Sequence, residues 1–230
     1  MEAIVLAGGL GTRLRGVVDD VPKPMAPVQG RPFLALVLDQ LVGAGFQSAV
    51  LAVGYRHQAI RAQFGEDYRG LTLRYSVESK PLGTGGAIRM ACAQTSAQHI
   101  FALNGDTYLE LDFQAMLSSH LRFAAELSMA ICHVPDVARY GALRLRDETV
   151  QGFLEKGRSG PGWINAGTYI LAPALRARLS PAGAFSFEHD LLGPEVASIR
   201  PRAFRCSGRF IDIGIPDDYA RAQTLFQPAQ

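Results

Sequence analysis

The stretch AIVLAGGLGTRLR, residues 3–15, sets the expectation for the fold of the whole chain. Its first five residues are all apolar and run into two glycines, a pattern typical of a parallel β-strand buried on both faces. The glycines leave consecutive backbone N–H groups free to turn toward one anion, and Arg13 adds a charged donor. The sequence therefore predicts a strand that leads into a phosphate-binding loop.

Two common phosphate-binding motifs do not match this loop. A P-loop would continue with Gly-Lys-Ser/Thr after four spacer residues, and this loop contains no lysine. A dinucleotide-binding fingerprint requires a small residue where Leu14 stands, and the next predicted strand ends at residues 54–56 without an acid for a ribose. A tight turn that binds no ligand is the remaining alternative.

Strand-like and helix-like segments alternate through the first half of the chain. Residues 33–41 have apolar side chains at a helical period, and residues 49–53 form a second continuous apolar run. The other predicted elements of this half are a helix over 57–64, a strand over 71–75, a helix over 86–93 and a strand over 100–103. Strands separated by helices predict an α/β fold with an open, mostly parallel sheet.

The second half has more strands and shorter connections. The strands predicted there cover residues 127–134, 142–145, 150–154, 164–171, 203–206 and 210–213. The predicted helices cover residues 113–122, 173–179, 187–192 and 216–226. No repeat or linker divides the chain, so we expect a single domain over 1–230 whose C-terminal half adds a smaller mixed or antiparallel sheet.

Composition excludes several classes of protein. The chain has 230 residues, 48% of them hydrophobic, which is enough to bury a core without disulfide or metal support. No apolar run approaches the roughly 18 residues of a membrane span, and the first residues do not resemble a signal peptide. The three cysteines and five histidines lack the spacing of a zinc site, and a net charge of +2 does not suggest a nucleic-acid partner. A cytoplasmic location is therefore expected.

Lysine is rare in this chain and always lies in a loop-like motif. Only three of the 23 basic residues are lysines, namely Lys23, Lys80 and Lys156. An arginine-favouring codon usage is one explanation; the other is that a compact ammonium suits a single phosphate oxygen better than a planar guanidinium does. Lys23 stands between two prolines, which predicts an extended segment that presents it as a second cation beside the phosphate loop.

These motifs, with five more in the same order, resemble the sugar-1-phosphate nucleotidyltransferases over nearly the whole chain. The further motifs are PLGTGGA at 81–87, NGD at 104–106, EK at 155–156, NAG at 165–167 and FIDIG at 210–214. Within the family, DVPKPMAPV at 20–28 and GRPFL at 30–34 are most similar to guanylyltransferases that act on D-glycero-D-manno-heptose 1-phosphate. The resemblance implies a Rossmann-like nucleotide-diphospho-sugar transferase fold in which GTP and a sugar 1-phosphate react with Mg²⁺ as cofactor. The product would serve bacterial surface polysaccharide synthesis.

The resemblance also assigns the site residues. It places the nucleotide-binding half at about 1–112 and the sugar-phosphate-binding half at 113–230. The residues expected to bind the nucleotide are Leu6, Ala7, Gly8, Gly9, Gly11, Thr12, Arg13, Glu78, Gly83, Thr84, Gly85, Asn104 and Gly105. Those expected to bind the sugar phosphate are Tyr140, Gly141, Glu155, Lys156, Asn165 and Gly167.

Three expected roles, those of the cations, of the metal ligands and of Glu78, have a chemical reason beside the resemblance. Arg13 and Lys23 would neutralise charge that grows on the α-phosphate and the departing pyrophosphate, which makes them, with Asp106, the expected catalytic residues. Asp106 and Asp212 offer the oxygen ligands that Mg²⁺ prefers. Glu78 can accept hydrogen bonds from two guanine donors at once, whereas uracil offers one donor on that edge. A turn-capping role for Asp106 and plain solvent exposure for Glu78 are the alternatives.

The nucleotide and the sugar are less firmly indicated than the reaction. A guanylyltransferase for mannose 1-phosphate or a uridylyltransferase for N-acetylmuramate 1-phosphate are alternatives. A catalytically silent sugar-nucleotide-binding regulatory subunit is an alternative of another class, against which the presence of Arg13, Lys23, Asp106 and Asp212 counts. No membrane partner is expected, and a homo-oligomer is left open.

Overall fold

The computed structural model describes residues 1–9, 21–179 and 183–227. The strands are β1 (Glu2–Leu6), β2 (Pro27–Val28), β3 (Arg31–Pro32), β4 (Ser48–Val53), β5 (Asp67–Tyr68), β6 (Leu71–Val77), β7 (Ile100–Asn104), β8 (Thr107–Leu109), β9 (Leu127–Val134), β10 (Leu143–Arg146), β11 (Thr149–Phe153), β12 (Gly162–Leu171), β13 (Arg202–Cys206) and β14 (Phe210–Asp212). The α-helices are α1 (Phe33–Gly43), α2 (His57–Phe64), α3 (Gly83–Cys92), α4 (Phe113–Arg122), α5 (Pro173–Arg178), α6 (Gly193–Ile199) and α7 (Pro216–Leu225). A 3₁₀ turn at Lys23–Met25 and a π-helix at Phe187–Leu192 complete these elements.

Ten strands form one sheet in the order β10-β11-β13-β9-β12-β7-β1-β4-β6-β5. Its centre is a parallel group in which β1 pairs with β4 and β7, and β4 pairs with β6. The chain adds β4 and β6 on one side of β1 and β7 on the other, so the order of strands reverses between β1 and β7. Ligands of open α/β sheets bind beyond the C-terminal strand ends at such a reversal.

The predicted fold class is confirmed, with one difference in how the C-terminal strands are arranged. Most of them extend the central sheet: β12 pairs antiparallel with β7, and β9 pairs antiparallel with β12. The small antiparallel sheet instead joins β14 to β8, which has only three residues and was not predicted because it is too short to show a period. None of the helices in the described part of the chain has the length and apolarity that a bilayer crossing needs.

The central strands are apolar throughout because each face of the sheet has its own hydrophobic core. In β1, Ala3 and Val5 pack into the core that contains α1, and Ile4 packs into the core that contains α3. All three side chains are 0% exposed. Burial on both faces removes the need for polar residues at alternate positions, which explains the uninterrupted apolar run seen in the sequence.

Two helices differ from the sequence prediction. Helix α3 begins at Gly83, three residues before its predicted start. The segment 187–192 is π-helical and continues directly into α6, which the sequence did not predict. Gly193-Pro194 is a pair typical of a helix end, but here the helical segment continues through it, with Pro194 near the start of α6.

A pair of histidines, of which His120 is buried, links α4 to the sheet. His99 Nδ1 is 2.9 Å from His120 Nε2, and His120 Nδ1 is 2.8 Å from Ser128 Oγ. The His120 side chain is fully buried. Burial, and to a smaller extent the neighbouring His99, lowers the pKa of His120 to about 4.

We predict that this histidine makes the protein less stable in mild acid. In the unfolded chain His120 becomes protonated as the pH falls below about 6.5, whereas in the folded chain it becomes protonated only near pH 4. The free energy of unfolding therefore falls as the pH falls from 6.5 to 4. The expected loss is on the order of 2–3 kcal/mol. Urea unfolding at a series of pH values should show a shallower decline for His120→Gln than for the wild type. The exposed His133→Gln is the control, and equal slopes in all three proteins would contradict the prediction.

Candidate active site

Two cavities open at the C-terminal ends of the parallel strands. The first has a volume of about 620 Å³ and is lined by residues that directly follow β1, β4, β6 and β7. The second, about 830 Å³, is lined by residues around β11 and β12 and by the π-helix 187–192. Asn104, the last residue of β7, lines both cavities. The two cavities therefore meet at the reversal of strand order.

Two carboxylates share a cation at this meeting point. Lys23 Nζ is 2.5 Å from Asp106 Oδ2 and 3.6 Å from Asp212 Oδ1. Asp106 lines the first cavity and Asp212 the second. The Lys23 side chain is 13% exposed, which is less than either aspartate. Because both acids reach one ammonium, they also lie close enough to share one small cation.

Backbone pairing places the two aspartates together although they are far apart in the sequence. Asp212 ends β14 and is registered against Thr107 of β8, the residue that follows Asp106. The Ile213 N–H also donates directly to the Asp106 carbonyl at 3.1 Å. The residue before Asp106 is glycine because a Cβ at position 105 would lie 2.8 Å from the Leu6 carbonyl.

The conformation of Lys23 differs from the prediction. The sequence suggested an extended segment between two prolines, but residues 23–25 form one 3₁₀ turn, with Met25 N–H donating to the Pro22 carbonyl at 2.7 Å. Pro24 is tolerated because it falls in the first turn, where its missing N–H leaves no bond unmade. The turn still directs the Lys23 ammonium to both acids.

The donor set suits a hard divalent cation. Within residues 1–9, 21–179 and 183–227, no group of three or more His, Cys, Asp or Glu side chains is arranged to hold a metal. Mg²⁺ commonly binds one or two carboxylates and takes its other ligands from substrate phosphates and water. The Gly214 N–H donates to Asp212 Oδ1 at 2.7 Å and Arg139 is 2.9 Å from Asp212 Oδ2, so the orientation of this carboxylate is set from two sides.

Most described residues that were predicted to bind the nucleotide line the first cavity. These are Leu6, Gly8, Gly9, Glu78, Gly83, Thr84 and Asn104. Ala7, Gly85 and Gly105 do not line it. Gly11, Thr12 and Arg13 lie outside the residues that the structure describes. One carboxylate oxygen of Glu78, a residue that lines this cavity, accepts from the Leu82 N–H at 2.9 Å.

The glycines at 83 and 85 make room for a segment of the other half of the chain. A Cβ at Gly85 would lie 2.1 Å from the Phe185 ring, and one at Gly83 would lie 2.4 Å from the Phe185 carbonyl oxygen. The Gly85 N–H donates to that carbonyl at 3.0 Å, and the Phe185 N–H donates to the Leu82 carbonyl at 2.9 Å. Close approach of Phe185 therefore requires glycine at both positions.

All the residues predicted to bind the sugar phosphate line the second cavity. They are Tyr140, Gly141, Glu155, Lys156, Asn165 and Gly167. Partial burial raises the pKa of Tyr140. Lys80 lines the first cavity and Lys156 the second, so all three lysines of the chain lie at this site.

Three site residues were not identified from the sequence. Arg139 joins Asp212 to Asp218 by forming an ion pair with each. Glu188 and Tyr169 line the second cavity and are hydrogen-bonded to each other at 3.0 Å. Arg139 is one arginine among many, although its place directly before Tyr140-Gly141 was a signal that could have been used. Tyr169 and Glu188 lie within segments that were predicted only as a strand and a helix.

Comparison with known proteins gives consistent matches over the full length. The Nucleotidyl transferase family matches residues 2–227. The chain is 43% identical to a D-glycero-alpha-D-manno-heptose 1-phosphate guanylyltransferase from Aneurinibacillus thermoaerophilus, over 99% of both chains. It is 35% identical to the enzyme of that name from Campylobacter jejuni, over 95% of this chain and 97% of the relative. A crystal structure of HddC from Yersinia pseudotuberculosis complexed with GMP-PN has a TM-score of 0.86 and 39% identity, covering 98% of this chain and 99% of that one.

We predict that Gly85→Ala destabilises the fold, because the added methyl group would overlap the Phe185 ring. Overpacking of this kind costs about 1–3 kcal/mol in the free energy of unfolding, which denaturant titration measures. Gly43→Ala is the matched control, since a Cβ there meets nothing within 4 Å and alanine favours the end of α1. An unchanged unfolding midpoint for Gly85→Ala would show that Phe185 does not occupy this place in solution.

Proposed function

This chain belongs to the nucleotidyl transferase family, and we propose from that premise that it joins GTP to D-glycero-α-D-manno-heptose 1-phosphate, releasing pyrophosphate and forming a GDP-activated heptose. The observation that carries the proposal is the meeting of two cavities at Asp106, Asp212 and Lys23. The names of the two full-length relatives support the choice of substrates. The product would be a sugar donor for bacterial surface polysaccharide, made in the cytoplasm, where GTP is available.

Each substrate is assigned to one cavity. GTP would occupy the first cavity, with its base near Glu78 and the loop 81–85 and its phosphates toward the loop after β1. The heptose 1-phosphate would occupy the second, with its hydroxyl groups near Glu155 and Asn165 and its phosphate near Lys156. The chain would act as one domain, with residues 1–112 binding the nucleotide and 113–230 binding the sugar phosphate. The sheet that runs through both halves supports the single domain.

The reaction needs alignment and positive charge more than it needs a general base. A phosphomonoester has a second pKa near 6 and is already largely a dianion at neutral pH, ready to attack the α-phosphorus in line. The barrier is then mainly the repulsion of two polyanions and the loss of freedom on aligning them. Lys23, together with Arg13, would neutralise charge on the α-phosphate and the departing pyrophosphate.

The two aspartates would hold Mg²⁺ between the substrates. Bound there, the ion would neutralise phosphate oxygens and polarise the phosphorus that is attacked. Arg139 and the Gly214 N–H keep Asp212 turned toward Asp106 and Lys23. Before Mg²⁺ binds, the Lys23 ammonium partly offsets the negative charge of the two carboxylates.

Pyrophosphate release from pairs of substrates tests the proposal. The purified chain with Mg²⁺ is assayed with GTP, UTP, ATP, CTP and dTTP, each against heptose, mannose, glucose and N-acetylmuramate 1-phosphates. We expect the largest kcat/KM for GTP with the heptose 1-phosphate. A preference for UTP with N-acetylmuramate 1-phosphate would change the proposed substrates but not the proposed reaction. If no pair of substrates releases pyrophosphate, the proposal that the protein is an enzyme is wrong.

We predict that Lys23→Met, which keeps the length of the side chain and removes its charge, lowers kcat by roughly 10²-fold or more. Loss of a single group that stabilises charge in the transition state has an effect of this size. Arg61→Ala, which removes an exposed cation that pairs with Glu66 away from both cavities, should keep the wild-type kcat. A Lys23→Met enzyme with near-normal turnover would exclude Lys23 from catalysis.

A further inference from the structure

Glu188 lies between the two cavities and is bonded to a residue of each. Its Oε2 accepts a hydrogen bond from Thr84 Oγ1 at 2.8 Å, and its Oε1 accepts one from the Tyr169 hydroxyl at 3.0 Å. Thr84 lines the first cavity, and Tyr169 lines the second. The roles described above for nucleotide, sugar phosphate and cation make no use of this carboxylate.

The hydrogen bonds around Glu188 extend in both directions and have a fixed polarity. Asn165 Nδ2 donates to the Tyr169 oxygen at 2.6 Å, and Asn165 Oδ1 accepts from the Gly167 N–H at 3.0 Å. On the other side, the Phe187 N–H donates to Thr84 Oγ1 at 2.8 Å. Each hydroxyl already accepts one hydrogen bond, so its single proton is free to point at the carboxylate. Each of the two carboxylate oxygens thus accepts the proton of one hydroxyl.

Burial makes these bonds consequential. Tyr169 is 1% exposed, and burial raises its pKa well above the ordinary value, so its hydroxyl stays protonated and donates. The buried Tyr169 hydroxyl carries a desolvation penalty if it loses its partner, because water does not replace the lost bond. A shift of Thr84 therefore moves the Glu188 carboxylate, and with it the hydrogen-bonded pair of Tyr169 and Asn165. A shift of Tyr169 acts on Thr84 through the same carboxylate.

We propose that Glu188 is a positioning residue that couples the two substrate cavities, holding Thr84 at the nucleotide and, through Tyr169, Asn165 at the sugar phosphate. The inference rests on the proposed function, because it takes GTP and the heptose 1-phosphate as the occupants of the cavities. Segment 185–187, which docks on residues 82–85 through backbone hydrogen bonds, carries Glu188 to this place.

The test is whether removal of one hydroxyl in one cavity changes the KM of the substrate in the other. Tyr169 does not line the first cavity, and Thr84 does not line the second. We expect Tyr169→Phe to raise the KM for GTP and Thr84→Val to raise the KM for the heptose 1-phosphate, each by about 3- to 10-fold, the effect of one lost hydrogen bond. Glu188→Ala should raise both. Thr84→Ser, which keeps the hydroxyl, should bring the KM for the sugar phosphate back toward that of the wild type.

Controls separate coupling from general damage and from failure of the proposed function. Glu195→Gln alters a carboxylate of α6 that pairs with Arg178 and lines neither cavity, and it should leave both KM values unchanged. If Glu188→Ala does not fold, the two single-hydroxyl variants carry the test alone. Changes confined to the substrate of the altered cavity would overturn the coupling role. A wild-type protein that releases no pyrophosphate would instead refute the proposed function.

Discussion

The site depends on two carboxylates held within reach of one ammonium. Asp106 and Asp212 would repel each other if they were brought together alone, and Lys23 offsets that repulsion before any ligand binds. Their separation is set by the short pairing of β14 with β8, not by the large sheet. The cavities open at the edge formed by the C-terminal ends of the central strands. The pairing of Phe210–Asp212 with β8 brings Asp212 to that edge.

Local sequence patterns were sufficient to predict much of the fold. The apolar runs of β1, β4 and β7 are recognisable because they are buried on both faces, and α1 is recognisable from its period. The turn Asn104-Gly105-Asp106 was noticed because it follows an apolar strand, and Asp212 because it ends an apolar strand two residues before Gly214. The predicted sugar-phosphate residues came from the resemblance, and the structure brings them to one cavity.

The rest could not be predicted because it depends on contacts between distant segments. Nothing local to Gly85 reveals that Phe185 packs on it, and nothing local to Glu188 reveals Thr84 and Tyr169 as its partners. The extended conformation predicted for Lys23 was wrong for a different reason. Prolines restrict φ, but they also fit the first turn of a short helix, and the local pattern did not distinguish the two.

The pairing of β12 with β7 limits how this molecule can move during a turnover. The two strands are hydrogen-bonded from Thr168 opposite Leu103 to Leu171 opposite Ile100, which joins a strand of the N-terminal part of the chain to one of the C-terminal part. Hinge bending of two lobes would have to break this ladder in the middle of a buried sheet. Any closing motion around the substrates is therefore left to loops and side chains at the rim, while the platform beneath them stays rigid.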